Sequence, residues 1–245
     1  MPASERLVLV TGGAKGIGLA CARSLAGQGH RVVVTGRDEA ALAASGFTFV
    51  VADVTDEAAV SAACDGIGPV DILVNNAGIA ESAPLHRTSL EQWNHHLAVN
   101  ATGPFLWSKA LVPGMRQRGW GRVVTVASIA SHVGAPYIAA YVASKHAVLG
   151  LMRSVAAEVA GSGVTANSVC PAYVRTEMTE RTIANIVART GRSTAEAERS
   201  LTEQSSLGRL IEPEEVAACV AYLCSDAAGA VNGQSVILDG GTIQQ

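Results

Sequence analysis

Short runs of apolar residues alternate along the chain with longer segments in which apolar residues recur at helical spacing. The short runs are rich in β-branched residues and predict strands at 7–11, 31–35, 47–51, 72–74, 123–127, 164–169 and 235–238. The longer segments predict helices at about 16–28, 57–64, 90–100, 103–118, 139–160 and 213–225. Strands that are apolar throughout are typical of a parallel sheet with helices on both faces. The pattern therefore predicts one doubly wound α/β domain over residues 1–245, with a mainly parallel sheet.

The most polar stretch lies between residues 175 and 204. Ile183, Ile186 and Val187 recur there at helical spacing, which predicts one or two short helices above the sheet. Two interpretations remain open for this segment: a substrate lid at about 175–206, or an ordinary surface insertion.

Composition narrows the class of partner. Of the 245 residues only 16% are charged, the formal net charge is −3, and there is no basic run, so we expect no nucleic-acid partner. No apolar run reaches the length of a membrane span and no signal-peptide pattern is seen, so we expect no membrane and a cytoplasmic location. Five cysteines without C-x-x-C spacing indicate buried thiols rather than a disulfide or a metal site. A small-molecule substrate is the expectation.

A glycine-rich loop follows the first predicted strand and opens the first predicted helix. Its residues from Thr11 to Gly18 read T-G-G-A-K-G-I-G. Glycines allow a tight turn and a close approach to pyrophosphate, and the N-terminus of the helix favours an anion. The order of strand, loop and helix predicts a dinucleotide-binding site.

The end of the second predicted strand bears on which nucleotide is bound. NAD enzymes usually carry Asp or Glu there for the ribose 2′-hydroxyl, whereas this chain has Thr35-Gly36-Arg37. Arg37, with Lys15 of the glycine loop, is suited to a 2′-phosphate, so NADP(H) is favoured and NAD(H) stays possible. The alternative is that both cations are solvated surface residues, since Asp38 and Glu39 follow directly.

Candidate proton-transfer chemistry comes from Tyr141 and Lys145, which stand one helical turn apart, with Ser128 thirteen residues before Tyr141. A tyrosine that acts near neutrality needs its pKa lowered by about three units from ~10. A nearby ammonium typically lowers a pKa by ~1–3 units, so we expect Lys145 to supply much of the shift and a second positive charge to complete it.

These motifs stand in the order found in one large family. With the glycine loop, Asn75-Asn76-Ala77-Gly78, Asn100, Ser128, Tyr141, Lys145 and the Pro171 segment, the chain resembles the classical short-chain dehydrogenase/reductase family over essentially its whole length. The resemblance implies one Rossmann domain with a seven-stranded sheet, a nicotinamide dinucleotide, and a homo-oligomer, tetramer or dimer. The chain departs from the family pattern at Ala172, where glycine is usual, and a positive φ there would be strained.

The resemblance also implies residue roles. Ser128 is expected to bind the substrate oxygen and Tyr141 to transfer the proton. Asn100 is expected to hold a water in a relay to Lys145, which also binds the nicotinamide ribose; the oxidised nicotinamide supplies the second charge near Tyr141. The expected cofactor-binding residues are Thr11, Gly12, Lys15, Gly16, Ile17, Gly18, Arg37, Asp53, Val54, Asn76, Ala77, Gly78, Tyr141, Lys145, Pro171, Val174 and Thr176.

The expected reaction is hydride transfer between the nicotinamide and a carbonyl or secondary alcohol. The polar segment and the C-terminal region look like those of 3-oxoacyl reductases, ketoreductases and 3-hydroxyacyl dehydrogenases, which favours a β-keto substrate, including a CoA or carrier-protein thioester. Arg175, Arg181 and Arg192 are candidates for an acidic group or a phosphate of such a substrate, or are solvated. Secondary-alcohol, sugar and steroid dehydrogenases, and a dinucleotide-binding protein without turnover, remain alternatives.

Overall fold

Seven parallel strands form one sheet in the computed structural model, which describes residues 5–203 and 205–244. Their order across the sheet is β3-β2-β1-β4-β5-β6-β7. The predicted α/β class and strand number are confirmed, and each strand lies within a few residues of its predicted place. The strands are β1 (Leu7–Thr11), β2 (Arg31–Gly36), β3 (Thr48–Val51), β4 (Ile72–Asn75), β5 (Gly121–Val126), β6 (Val164–Pro171) and β7 (Ser235–Leu238).

Helices connect successive strands, and one of them escaped the sequence analysis. The short helix after β2 begins at Asp38, whose side chain accepts a hydrogen bond from the Ala41 amide at 3.0 Å. Asp38 is therefore a helix cap as well as a neighbour of Arg37. The helices are α1 (Gly16–Gly27), α2 (Glu39–Ala44), α3 (Glu57–Ile67), α4 (Leu90–Leu97), α5 (Gly103–Arg118), α6 (Ala139–Glu158), α7 (Glu177–Thr190), α8 (Thr194–Thr202) and α9 (Pro213–Cys224).

Both faces of the sheet are buried beneath helices. On one face, α1, which carries Leu25, packs against β1 and β2, and α9, which carries Val220, packs against β5 and β6. On the other, α5, which carries Trp107, packs against β4 and β5, and α6, which carries Met152, packs against β6; Trp107 is fully buried. Burial on two sides is why the strands are apolar throughout rather than alternating.

The order of the strands places a crevice at one edge of the sheet. β1 pairs with both β2 and β4, so the chain crosses the sheet in opposite directions on either side of β1. The register aligns Val10 with Val34 and with Val74. The carboxyl ends of these strands thus lie side by side at a topological switch point, where open α/β sheets bind ligands.

The polar segment after β6 is helical, as its pattern predicts. Ile183 of α7 packs with Ala197 and Leu201 of α8, and Ile186 and Val187 pack against the same cluster. Residue 204, inside the range 175–206, lies outside the described residues. Of the helices that the structure describes, none has the length and apolar character needed to cross a membrane.

Candidate active site

The end of β4 is joined to the glycine loop through the side chains of Thr11 and Asn76. The Asn76 amide Nδ2 donates to the carbonyl oxygens of Thr11 and Gly12 at 3.0 and 3.1 Å. The Thr11 hydroxyl accepts from the backbone amides of Asn76 and Ala77 at 3.0 and 3.1 Å. These hydrogen bonds between the two side chains and the backbone therefore hold the glycine loop against the end of β4.

The glycine loop is packed closely, and a residue larger than glycine would not fit at some of its positions. Gly12 has φ +63°, and a Cβ at Gly18 would lie 2.3 Å from the Gly12 carbonyl oxygen. Lys15 precedes α1 without a side-chain capping bond, and the first turn of α1 has no acidic residue. The unpaired amides and positive end of α1 thus face the crevice, and these residues fit a dinucleotide pyrophosphate.

Arg37 lies at the carboxyl end of β2, beside Asp53, which follows β3. Arg37 Nη1 is 3.7 Å from Asp53 Oδ2, and both side chains are partly exposed. Asp53 Oδ1 accepts from the amide and hydroxyl of Thr55 at 2.8 Å each. Partial burial opposes ionisation of Asp53, but the bonds from Thr55 and the charge of Arg37 together lower its pKa. The next residue, Val54, is buried and packs against Gly103 of α5.

The segment after β6 contacts the glycine loop from the other side. A Cβ at Gly16 would lie 3.2 Å from Thr176 Cγ2, and Lys15 Nζ lies 3.7 Å from Glu177 Oε2. Ile17 and Ala172 pack against the core on the α1 face. Pro171 ends β6, and Val174 forms an isolated bridge with Ile211.

Ala172 fits its backbone without strain. Tyr137 is the only non-glycine residue with positive φ in the described ranges, so Ala172 avoids the region that favours glycine. Its amide donates to the Leu238 carbonyl at 2.9 Å, which ties the segment to the end of β7. The methyl group in place of the usual hydrogen is therefore tolerated.

Asn100 lies in one turn of π-helix, Ala98–Thr102, between α4 and α5. Its side chain accepts from the Ile79 amide at 2.9 Å and donates to the Ile79 carbonyl at 3.0 Å and to Ser144 Oγ at 2.9 Å. Ser144 in turn donates to the Tyr141 carbonyl at 2.7 Å. Asn100 thus joins the loop after β4 to the first turn of α6.

Tyr141 and Lys145 of α6 stand above the carboxyl end of β5, with Ser128 two residues beyond that strand. Lys145 is 6% exposed, and its Nζ donates to the Val126 carbonyl at 3.0 Å. The same Nζ is 5.7 Å from the centre of the Tyr141 ring. Ser128 is also buried and accepts from the Ala130 amide at 3.1 Å. The structure thus brings the three predicted proton-transfer residues together.

The pKa of Tyr141 departs from the sequence-based expectation. Burial raises this pKa, and the hydrogen-bonding influence of Ser128 opposes the rise without cancelling it. Burial also lowers the pKa of Lys145 to about 8, since an ammonium loses hydration in the interior. Desolvation therefore opposes the lowering expected from Lys145, and a net lowering of the Tyr141 pKa requires the second positive charge, that of the oxidised nicotinamide.

The buried ammonium predicts a pH-dependent difference in stability between the wild type and Lys145→Met. Between about pH 8 and ~10.4 the folded state releases this proton while the unfolded state keeps it, so wild-type stability rises with pH. We expect the free energy of unfolding to gain up to about 1.4 kcal/mol per pH unit relative to Lys145→Met. Urea unfolding of both proteins from pH 7.5 to 9.5 measures this difference in free energy of unfolding. The range lies below the pH at which an ordinary tyrosine titrates. Parallel curves would contradict the shift.

Comparisons with known proteins show the family of this chain. A family model described as Enoyl-(Acyl carrier protein) reductase matches residues 12–242. An acetoacetyl-CoA reductase of Rhizobium meliloti is 38% identical, over 97% of this chain and 98% of its own length. The chain belongs to the short-chain dehydrogenase/reductase family. A D-beta-hydroxybutyrate dehydrogenase of the same organism is 37% identical, over 98% of this chain and 99% of its own length.

A solved structure shows the same fold. The crystal structure of a variant of actinorhodin polyketide ketoreductase with NADPH superposes with a TM-score of 0.90 at 36% identity, covering 97% of each chain. As a member of this family, the protein is an oxidoreductase that uses a nicotinamide dinucleotide.

One contributor to the site was missed from the sequence. Ser144 bonds both Asn100 and the Tyr141 carbonyl, and its position three residues after Tyr141 was the available signal. His96 is fully buried; its Nδ1 bonds the Gln92 carbonyl at 2.8 Å and its Nε2 accepts from the Glu81 amide at 3.1 Å. His96 therefore holds the loop after β4 through hydrogen bonds at both ring nitrogens.

Proposed function

We propose that this protein transfers hydride between NADP(H) and the keto group of a 3-oxoacyl thioester or a related β-keto substrate. The observation that carries the proposal is the convergence of Tyr141, Ser128 and Lys145 beside the glycine-loop crevice. Hydroxyl, phenol and ammonium groups at one place suit a reaction in which a carbonyl oxygen gains negative charge and then a proton.

In reduction, the Ser128 hydroxyl donates a hydrogen bond to the substrate carbonyl oxygen and fixes its position. Tyr141 Oη gives its proton to that oxygen as the carbonyl carbon becomes tetrahedral. Because burial raises the pKa of Tyr141, the phenol is protonated near neutrality and ready to act as an acid. The Lys145 ammonium then stabilises the phenolate that remains, and oxidation of an alcohol follows the same steps in reverse.

Asn100 and Gly78 place Lys145 for this role. A Cβ at Gly78 would lie 3.2 Å from Asn100 Oδ1 and 3.7 Å from Lys145 Nζ, so both side chains approach the same bare backbone. Since the Asn100 amide is occupied by Ile79 and Ser144, we assign Asn100 a positioning role. The water relay inferred from the family resemblance would use what hydrogen-bonding capacity these contacts leave.

The dinucleotide would lie along the carboxyl ends of β1, β2, β3, β4 and β6. When bound, its nicotinamide supplies or accepts the hydride. Gly12, Gly16 and Gly18 would let the loop backbone approach the pyrophosphate closely, and Asp53 and Val54 would contact the adenine end. Pro171, Val174 and Thr176 lie where β6 leads towards the glycine loop.

A preference for the 2′-phosphate is the expected property of Arg37. Arg37→Gln should weaken NADPH binding by roughly ten- to a hundredfold, because a charge-assisted hydrogen bond contributes about 1.5–3 kcal/mol, and should leave NADH binding nearly unchanged. Dissociation constants from nicotinamide fluorescence measure both. Arg31→Gln is the matched control, since Arg31 is exposed at the opposite end of β2. Equal losses for NADPH and NADH would rule out the 2′-phosphate role.

The substrate class rests on the relatives. Those reported are named acetoacetyl-CoA reductase, D-beta-hydroxybutyrate dehydrogenase and polyketide ketoreductase, and each name points to β-keto chemistry. Oxidation of NADPH is to be followed with acetoacetyl-CoA, cyclic ketones, ketosteroids and keto sugars. We expect the highest kcat/KM with the β-keto thioester, and a higher value with a steroid or sugar would overturn the proposed substrate.

Two further features complete the proposal. We infer that α7 and α8 act as a substrate lid, because they form a separate small core and reach the glycine loop through Thr176 and Glu177.

We also infer a homo-oligomer, for which Phe105 of α5, 44% exposed, offers an apolar contact. Sedimentation of the purified protein tests the second inference.

A further inference from the structure

A surface cavity of about 390 Å³ lies between the loop after β4 and the end of α7. Its lining residues are Ser82, Ala83, Pro84, Arg87 and Arg189. Two of these five residues are arginines and none is acidic. The cavity therefore combines a small, neutral floor with two positive charges from separate elements.

The cavity is connected to the proposed active site through hydrogen bonds along the loop. Ile79, near the start of the loop, bonds the Asn100 side chain through both its amide and its carbonyl. The Ala83 amide donates to the Tyr137 carbonyl at 2.8 Å, four residues before Tyr141. A molecule in the cavity thus contacts a loop that is bonded to Asn100 through Ile79 and to Tyr137, just before α6, through Ala83.

The charges of Arg87 and Arg189 are not neutralised by the protein. Neither has an ion-pair partner among residues 5–203 and 205–244, and both side chains are exposed. Arg189 suits the last turn of α7, where a cation interacts favourably with the helix dipole. That reason does not apply to Arg87, which comes from a different element, and two guanidinium groups around one cavity repel each other unless an anion lies between them.

The three candidate arginines from the sequence do not line this cavity. Arg175 lies 3.6 Å from Glu198 and 3.1 Å from Glu212, and Arg181 Nε donates to the Glu177 carbonyl at 3.2 Å. Arg192 lies three residues beyond Arg189 and does not line the cavity. Of the arginines near the proposed lid, Arg189 is the one that shares a cavity with a second free cation.

We propose that Arg87 and Arg189 bind an anionic group of the substrate, a phosphate or a carboxylate, outside the reacting centre. This inference rests on the proposed β-keto reduction, because it assigns the charged end of that substrate to this cavity. Guanidinium groups bind both anions with paired hydrogen bonds, so the chemistry is shared by two sources. One is the phosphate groups of a coenzyme A thioester, and the other is the carboxylate of a free β-keto acid.

Calorimetric titration of the NADP⁺-saturated protein tests the assignment without turnover. The probes are coenzyme A, acetoacetate and the uncharged pantetheine. We expect Arg87→Gln and Arg189→Gln each to weaken binding of one anion by roughly five- to tenfold and to leave pantetheine unaffected. Loss with coenzyme A identifies the phosphate source, and loss with acetoacetate identifies the carboxylate source. Arg192→Gln is the matched control and should bind like the wild type.

Three results would overturn the anion site: no binding of either anion at millimolar concentration, equal losses with pantetheine, or equal losses with Arg192→Gln. Kinetics separate this failure from failure of the proposed function. If acetoacetyl-CoA and acetoacetate are reduced with unchanged KM in both variants, the β-keto activity stands and the site is wrong. If the arginines bind an anion but no β-keto substrate is reduced, the site stands and the proposed substrate falls. Thermal melting checks that the variants are folded.

Discussion

Tyr141→Phe is expected to lower kcat/KM for carbonyl reduction by roughly 10²–10⁴-fold, the usual contribution of a general acid. The substitution removes the proton donor and keeps the ring, so the packing of α6 above β5 should be preserved. Because Lys145 Nζ is bonded to the Val126 carbonyl rather than to the phenol, the ammonium should keep its place. Initial rates with NADPH and a β-keto thioester measure the loss, and cofactor fluorescence should show nearly unchanged binding.

The matched control for this substitution is Tyr222→Phe. Tyr222 is 50% exposed on α9, on the other side of the sheet from α6, and should give wild-type rates. If Tyr141→Phe reduces the substrate as fast as the wild type, Tyr141 is not the acid. If the wild type binds the dinucleotide but oxidises it with no carbonyl compound, the protein is a binder without turnover.

Gly18→Ala is expected to disable the dinucleotide site. The added Cβ would lie 2.3 Å from the Gly12 carbonyl oxygen and 2.4 Å from Asn76 Nδ2, so the loop and the end of β4 would have to separate. Overpacking of this kind typically costs about 1–3 kcal/mol of stability. A displacement of about 1 Å at an active site can lower the rate by roughly 10²-fold, and we expect a loss of that size in kcat/KM together with weaker cofactor binding.

Gly27→Ala provides the control on the same helix. No atom lies within 4 Å of a Cβ at Gly27, and its φ is not positive, so the methyl group meets no obstacle. We expect up to about 1 kcal/mol of added stability from the better helix propensity of alanine, and unchanged cofactor binding. Urea unfolding and fluorescence titration of both variants separate a local steric effect from a general effect on α1. Equal cofactor affinity for Gly18→Ala and the wild type would show that the close approach is not needed.

The proton-transfer residues show which features of the site the sequence spacing can predict and which it cannot. The four-residue spacing of Tyr141 and Lys145 places them on one face of a helix, because a helical turn has 3.6 residues, and α6 confirms it. The contribution of burial, which raises the Tyr141 pKa, was not foreseen, because burial depends on what α6 packs against and sequence spacing carries no record of it. Likewise, Ser144 contacts Asn100 across 44 positions, and such a long-range pair leaves no periodic signal.

The arginines likewise show which features the sequence predicts and which depend on the folded structure. The sequence marked Arg175, Arg181 and Arg192 because they lie in a polar segment, and the structure engages two of them with Glu198, Glu212 and a carbonyl of α7. The pair that shares a cavity, Arg87 and Arg189, is separated by about a hundred positions in the chain. Only the folding of the loop after β4 against α7 brings those two charges together.

By itself the sequence determined the doubly wound sheet, the glycine loop and the family, because strand burial, helical periodicity and local turns are set by neighbouring residues. The tertiary structure decided what depends on distant groups: the ion pair between Arg37 and Asp53, the buried Lys145 beside Tyr141, and the cavity between Arg87 and Arg189. The physical reason is that desolvation and charge depend on everything within a few ångströms, and most of those atoms come from remote parts of the chain.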